Sequence, residues 1–140
     1  MKYLMAGMLC LSFILLGGCG SKEDKKGTWQ APQVIVGNEL AVKSRLQAIA
    51  QAELMYQAYS GGNYATLDQL IDHGMLTDPS HGKLRGYKIE IRVKENGFEA
   101  TAVPNNYGIT GRLSFYIDES KTLRQADKGG AEATVEDPQG

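Results

Sequence analysis

Two histidines are the side chains best suited to bind a metal ion in this sequence. His73 and His81 each precede a glycine, and Asp72 and Asp78 lie close to them in the chain. Imidazole nitrogens and carboxylate oxygens together could hold zinc. The same residues fall at a predicted helix end and in a turn, where polar side chains are common, and this second explanation is the favoured one. Metal or small-ligand binding is therefore the alternative prediction.

The sequence contains no set of residues whose types and spacing are typical of a catalytic site. Ser80 precedes His81, but no oxyanion motif accompanies the pair. Asp118 and Glu119 form an acidic pair on a predicted hairpin turn, where such residues are usual. No glycine-rich segment has the spacing or the position of a phosphate-binding loop. We predict a protein that is not an enzyme and that needs no cofactor and no metal.

Cys19 stands at a sharp change in composition. Before it lie Lys2 and an uncharged run from Tyr3 to Leu16, and after it comes a charged segment. A basic start, a short apolar run and small residues are the parts of a secretory signal. The run is shorter than the roughly 20 residues that a membrane-spanning helix needs. A transmembrane anchor and an ordinary signal peptide are the alternatives to the interpretation that follows.

The order Leu16-Gly17-Gly18-Cys19 resembles the lipobox of bacterial lipoproteins. The resemblance implies that residues 1–18 are removed as a signal peptide and that the Cys19 thiol receives a diacylglyceryl group, with acyl chains such as palmitate. Two or more acyl chains anchor a protein stably to a membrane. Gly20, next to the cysteine, resembles the pattern of lipoproteins that reach the outer membrane of Gram-negative cells. We expect a lipid-anchored cell-envelope protein whose domain lies in the periplasm or at the cell surface.

Residues 19–36 are predicted to form a flexible tether between the lipid and one domain of residues 37–127. The tether is charged at first and has neither a helical nor a strand period. Trp29 within it could lie in the membrane interface or cover an edge of the domain. The formal net charge of the chain is -1, so no basic field would attract nucleic acid.

A long helix is predicted from Asn38, a plausible N-cap, to Ser60. Its apolar face repeats at helical spacing, and its members are Val42, Leu46, Ile49 and Tyr56. Glu53 lies within this face, which leaves two readings for its carboxylate. It could be an acid of raised pKa, or it could accept a structural hydrogen bond from Tyr56, a backbone amide or a neighbouring strand, and the second reading is favoured.

A short second helix follows, with chemical signals at both ends. Thr66 and Gln69 have the spacing of a capping box, and Gly74 is a typical C-terminal stop.

Alternating residues predict three to four antiparallel strands after the helices. From Tyr87 to Val93 apolar and charged residues alternate, and Asn96-Gly97 predicts a tight hairpin that places Val93 opposite Ala100 and Lys94 opposite Glu99. A third strand is expected to point Leu113, Phe115 and Ile117 inward and Arg112, Ser114 and Tyr116 outward. A short fourth strand is expected over residues 122–124. Residues 128–140 are predicted to be a polar, mobile tail.

This order of elements predicts an α+β fold in which the long helix covers the dry face of the sheet. Several segments resemble the head domain of bacterial type IV pilin-like and pseudopilin-like proteins, namely residues 49–56, 62–70, 86–87, 114–119 and 131–134. The resemblance implies a pilin-like fold and no catalytic role. The chain departs from pilins because lipid at Cys19 and a charged tether take the place of their long apolar helix, and because their C-terminal cysteine pair is absent.

The loop of residues 104–111 is long for a hairpin connection and contains Tyr107 and Ile109. Loops on a rigid sheet often carry recognition, although a merely variable connection is an equal alternative. We take Tyr107 and Ile109 as a candidate interaction loop. The expected partner is a protein of the envelope, in a pilus, secretion or surface-filament system.

Overall fold

A computed structural model describes residues 31–77, 82–84 and 86–140 of the chain. Two helices, α1 (Ala31–Ser60) and α2 (Leu67–Asp72), precede five strands. The strands are β1 (Lys83–Leu84), β2 (Tyr87–Lys94), β3 (Gly97–Pro104), β4 (Leu113–Asp118) and β5 (Arg124–Asp127). They form one antiparallel sheet in chain order. The α+β prediction is confirmed, but the sheet has five strands instead of three to four, since β1 is too short to show an alternating pattern.

Helix α1 begins seven residues before the predicted N-cap, at Ala31. Pro32 lies in the first turn, where a helix needs no backbone N–H from that residue. Asn38 does not cap the helix, because its side-chain amide donates to Thr110 O at 2.8 Å. The predicted start at Asn38 is therefore wrong, and residues 31–36, assigned to the tether, are helical. The rest of the tether and the predicted signal peptide lie outside the described residues.

The predicted apolar face of α1 is confirmed. Val42, Leu46 and Ile49 are completely buried against the sheet, and Tyr56 is partly buried beside them. On the sheet side, Tyr87, Phe98 and Phe115 are the largest buried side chains. Their rings and the aliphatic face of α1 make one core, which is the main apolar burial in the described chain.

The signals at both ends of α2 are confirmed. The Thr66 side chain accepts from Gln69 N, and the Gln69 side chain accepts in return from Thr66 N. Gly74 ends the helix with a φ of 67°, a left-handed conformation that favours glycine. Leu70 anchors the helix in the core.

The β2–β3 hairpin has a different register from the predicted one. Val93 lies opposite Phe98 and Lys94 opposite Gly97, so the turn consists of residues 95–96. Gly97 belongs to β3, where a Cβ atom would lie 2.5 Å from the Glu119 carboxylate. Gly97 does not have a positive φ, so it does not act as a turn residue here, and a Cβ atom at this position would only displace the end of the Glu119 side chain. The predicted pairing was wrong by two residues, which leaves every side chain on its predicted face.

The C-terminal residues fold back on β5, so the prediction of a mobile tail is wrong. Gln125 N donates to Pro138 O at 2.9 Å, and Gly140 N donates to Leu123 O at 3.1 Å. The last strand also occupies residues 124–127 instead of 122–124. The tail is polar, so its order comes from hydrogen bonds. The sequence has no apolar period there that could predict this order.

The outer face of the sheet, opposite α1, is covered by this C-terminal segment, residues 128–140. Thr101, Ser114 and Tyr116 are buried on that face, although Ser114 and Tyr116 were expected to point into solvent. A cavity separates the segment from β2 and β3, and its lining consists of Lys88, Glu90, Thr101, Val103 and residues 130–132. The C-terminal segment therefore covers part of the outer face of the sheet.

Candidate functional site

The loop of residues 104–111 is held in one conformation by its own hydrogen bonds. Asn106 O accepts from Ile109 N at 3.0 Å and from Thr110 N at 2.9 Å, while Asn106 N donates to Thr110 Oγ1 at 3.0 Å. Gly108 N donates to Gly111 O at 2.8 Å. A loop fixed in this way presents its side chains without an additional ordering cost on binding.

The base of the loop is fixed to the core through Gly111. A Cβ atom at this position would lie 1.9 Å from the Tyr87 hydroxyl oxygen, so only glycine fits. The same hydroxyl donates to Leu113 O at 2.7 Å. Burial raises the pKa of Tyr87 well above its ordinary range, so this hydroxyl stays a donor at any physiological pH. The loop is therefore tied to a buried aromatic ring.

Tyr107 and Ile109, the two candidate interaction residues, are both exposed. Ile109 is 67% exposed and Tyr107 43%. The Tyr107 hydroxyl donates to Asp127 Oδ1 at 2.7 Å, and this hydrogen bond is the first reason why the pKa of Asp127 lies below its ordinary value. Tyr107 thus has an oriented ring with a satisfied hydroxyl, while Ile109 has a free apolar side chain.

The beginning of α1 adds two exposed apolar residues at the same end of the domain. Val36 is 63% exposed and Leu40 65%, and with Leu113 they line a shallow depression. The adjacent Glu39 carboxylate accepts from Arg112 N at 3.0 Å and from Leu113 N at 3.1 Å. Its charge is therefore turned toward the sheet. We call Val36, Leu40, Tyr107 and Ile109 the loop–helix surface.

Sequence reasoning found only half of this surface. Val36 was assigned to the tether and Leu40 was left off the apolar face of the helix. Their one available signal was that Val36 and Leu40 are four residues apart, which places them on one side of a helix that continues through Gly37.

Glu53 is the main buried carboxyl in the described part of the chain. Its Oε2 accepts from Ala65 N at 2.9 Å, while Oε1 has no hydrogen-bond partner among the described residues. Burial raises the pKa of Glu53 to about 7, and the hydrogen bond from Ala65 opposes this rise. The interpretation of Glu53 as a structural acceptor of a backbone amide is supported. The same carboxyl group also has a raised pKa, as the other interpretation expected.

The residues of the metal alternative are only partly within the described chain. The His73 ring contacts Tyr56 and Tyr59, with centroid distances of 5.4 and 5.5 Å. Asp72 is exposed, whereas Asp78, Ser80 and His81 lie outside the described residues. No group of three or more potential metal ligands occurs among the residues that the structure describes.

The acidic pair at the β4–β5 turn is engaged in local hydrogen bonds. The Asp118 carboxylate accepts from Ser120 N at 2.9 Å and from the Tyr116 hydroxyl at 3.1 Å. Glu119 Oε2 accepts from Phe98 N at 3.3 Å. The two carboxyl groups therefore stabilise a turn and the neighbouring hairpin.

Comparisons with protein-family models, with curated proteins and with solved structures gave no match. In the described residues, neither helix is both long enough and apolar enough to cross a membrane. Cys19, the predicted lipid site, lies outside the described residues. What the described chain offers at this end of the domain is four exposed apolar side chains, two on the first turns of α1 and two on the loop, and exposed apolar residues on ordered segments are suited to contact with another protein.

Proposed function

We propose that this chain is a lipid-anchored protein of the bacterial cell envelope that presents a non-enzymatic, pilin-like interaction domain. Lipid on Cys19 would hold it to a membrane, the outer membrane in a Gram-negative cell, with the domain in the periplasm or at the cell surface. The partner would be another envelope protein, in a pilus, a type II secretion-like system or a surface filament.

The loop–helix surface is the observation that carries this proposal. Ile109 and Leu40 are large apolar residues with about two thirds of their area exposed, and their segments are joined by the hydrogen bond from Asn38 to Thr110 O, while Glu39 ties α1 to β4 at Leu113. Exposed apolar residues on rigid supports are typical of protein interfaces. A long helix and a short helix on an antiparallel sheet are also consistent with a pilin-like head.

The position of this surface suits a protein held near a membrane. The chain between Cys19 and Ala31 can span at most about 40 Å. The loop–helix surface lies near the start of α1, so a lipid at Cys19 would keep it within reach of partners at the same membrane. Val34, which is 49% exposed, also lies at this end of α1, whereas Leu54, Met55 and Tyr59 are exposed at its far end.

Lipidation is tested by mass spectrometry of the native protein and by cell fractionation. We expect an N-terminus at Cys19 carrying acyl groups, and we expect Cys19→Ala to move the protein out of the membrane fraction. An unmodified thiol, or retention of residues 1–18, would contradict the anchor.

The interaction surface is tested by crosslinking in intact cells. We expect one defined partner with the native chain and its loss with Ile109→Glu, because a carboxylate cannot be buried there without a large desolvation cost. Val135→Glu is the matched control, since Val135 is also exposed but lies on the C-terminal segment. Equal capture by both variants would place the contact elsewhere.

A further inference from the structure

The connection after α1 and the short helix α2 form a segment with glycine at both ends. Gly61 and Gly62 have positive φ angles of 76° and 112°, and Gly74 has a φ of 67°. Hinges are commonly a few residues at the ends of elements that absorb a change in φ and ψ. Glycine does this at little steric cost because it has no Cβ atom. We call residues 61–74 the flap.

The flap is closed by a small buried surface and by hydrogen bonds in its first half. Ala65 and Leu70 are completely buried. The Tyr64 ring lies 5.6 Å from the Phe98 ring, measured between centroids, and the Tyr64 hydroxyl accepts from Gln57 Nε2 at 2.9 Å. Segments that bury little apolar surface open at a lower free energy than the core does. The flap therefore has the features of a segment that opens while the sheet stays folded.

Glu53 on α1 holds the centre of the flap. Its Oε2 accepts from Ala65 N at 2.9 Å, and the Glu53 side chain is completely buried. Its Oε1 is also buried and has no hydrogen-bond partner among the described residues. A neutral carboxyl group can be buried in this way at moderate cost, whereas a carboxylate with an unpaired oxygen is much more costly. Ionisation of Glu53 therefore favours a movement that brings water to the carboxylate.

The described residues supply no charge that compensates an ionised Glu53. Only burial and the hydrogen bond from Ala65 change its pKa. The titratable side chains of the surrounding segments are exposed, in ring contacts or bonded to other groups. They are Tyr56 on α1, Tyr64, Asp68, Asp72 and His73 on the flap, and Lys94, Glu95, Glu99, Asp118, Glu119 and Lys121 on the sheet and its turns.

We propose that residues 61–74 are a pH-sensitive flap, which is closed while the Glu53 carboxyl group is neutral and released when this group ionises. Opening breaks the hydrogen bond from Ala65 N and lets water reach both carboxylate oxygens. It also exposes Ala65 and Leu70, so apolar surface becomes accessible as pH rises. The flap follows the C-terminal end of α1, whereas the loop–helix surface lies near its start. The proposal does not depend on that surface or on the lipid at Cys19.

The proposal is tested by amide hydrogen exchange of the full chain in detergent, followed by NMR at pH 5 and pH 8. The pKa of Glu53 is about 7 with the flap closed and has its ordinary value of 4.5 when water reaches it. The ratio of open to closed molecules should therefore rise about 70-fold between the two pH values. We expect this rise in the exchange rates of Leu70 and His73, whose amides bond to Thr66 O and Gln69 O, after correction for the intrinsic effect of pH.

The amides of β3 and β4 are the internal reference for this measurement. We expect them to be better protected than the flap amides at both pH values, because their exchange requires opening of the sheet. Flap amides that are as well protected as those of β3 and β4 would show that no separate opening exists. Flap exchange without a corrected rise would show that ionisation does not release the flap. Either result would overturn the proposal.

Glu53→Gln tests the group, and His73→Gln is its matched control. Glutamine keeps an acceptor for Ala65 N but cannot ionise, so the corrected rise should disappear. An imidazole is the other side-chain type that ionises near neutral pH, and His73 is exposed on the flap, so His73→Gln should keep the rise. A rise that persists in Glu53→Gln, or one that disappears in His73→Gln, would contradict the role of Glu53. If Glu53→Gln does not fold, the difference between flap and sheet amides in the native chain decides the question.

Discussion

The two faces of the sheet are covered by different kinds of contact. Helix α1 covers the inner face through fully buried apolar residues such as Leu46, Ile49 and Phe115. The C-terminal segment contacts the outer face partly through an ion pair, Arg92–Glu132 at 2.5 Å, and a second pair, Lys128–Asp137 at 2.9 Å, lies within the segment itself. Apolar burial contributes far more free energy than exposed ion pairs do. We expect the inner face to dominate stability and the outer face to open first.

One carboxyl group on each side of the sheet makes stability depend on pH, and the two dependences have opposite signs. On the inner face, burial raises the pKa of Glu53 from its ordinary value of 4.5 to about 7. The protonated form is therefore favoured by folding, and stability falls as pH rises through this window. On the outer side, the hydrogen bond from Lys128 holds the pKa of Asp137 below its ordinary value of 3.8. Its contribution is present above pH 3.8 and is lost as pH falls further.

The largest effect is expected from Phe115→Ala on the inner face. The ring is completely buried, so its removal should lower the free energy of unfolding by about 3–5 kcal/mol, measured by urea denaturation. Val135→Ala on the C-terminal segment is the control, because Val135 is about half exposed and should change stability by less than about 0.5 kcal/mol. Similar losses in both variants would remove the distinction between the two faces.

The pH dependence from Glu53 is expected to be the next largest effect. The difference between 4.5 and about 7 corresponds to about 3 kcal/mol of unfolding free energy, lost between those pH values. Glu53→Gln keeps an acceptor for Ala65 N but cannot ionise, so its unfolding free energy should be nearly constant over this range. Denaturant titrations at pH 5 and pH 8 measure the change.

The control for this pH effect is Glu95→Gln, at an exposed position of the β2–β3 turn. This variant should keep the decrease of the native protein. A Glu53→Gln protein that still loses stability between pH 5 and pH 8 would assign the effect to another group.

The smallest effect is expected on the outer face, from Glu132→Gln. Arg92 and Glu132 are each nearly half exposed, so loss of their ion pair should reduce stability by less than about 1 kcal/mol, and the loss should shrink in high salt. Faster amide exchange in the C-terminal segment at constant global stability would be the expected signature. Glu136→Gln, at an exposed position nearby, is the control. A loss of several kcal/mol would show that the outer face contributes as much as the inner one.

Half of the candidate surface was predictable from the sequence, and the reason for the missing half is physical. The composition of residues 104–111 indicated a loop, and Tyr107 and Ile109 are exposed in it. Val36 and Leu40 were missed because the first turns of α1 depend on contacts with residues more than 70 positions away. Asn38 is hydrogen-bonded to Thr110 and Glu39 to Arg112, and no local sequence pattern predicts such contacts.

The β2–β3 hairpin shows how tertiary packing can override a turn signal. Asn96-Gly97 is a strong local pattern for the tight turn, yet the turn lies one residue earlier, with Gly97 paired to Lys94 and the neighbouring Phe98 N donating to the Glu119 carboxylate. Both registers place the same side chains on the same face, so the apolar period could not distinguish them.

The sequence by itself determined the elements that carry a period or a cap: the buried face of α1, the two ends of α2 and the alternation along β2. These signals are local, because they depend on residues within one or two turns or strand repeats. Only the tertiary structure decided where α1 begins, which residues turn the hairpin and how residues 128–140 cover the sheet. Those features depend on hydrogen bonds and close contacts between residues that are distant in the sequence. Such contacts produce no periodic pattern of apolar residues that could be recognised in the sequence.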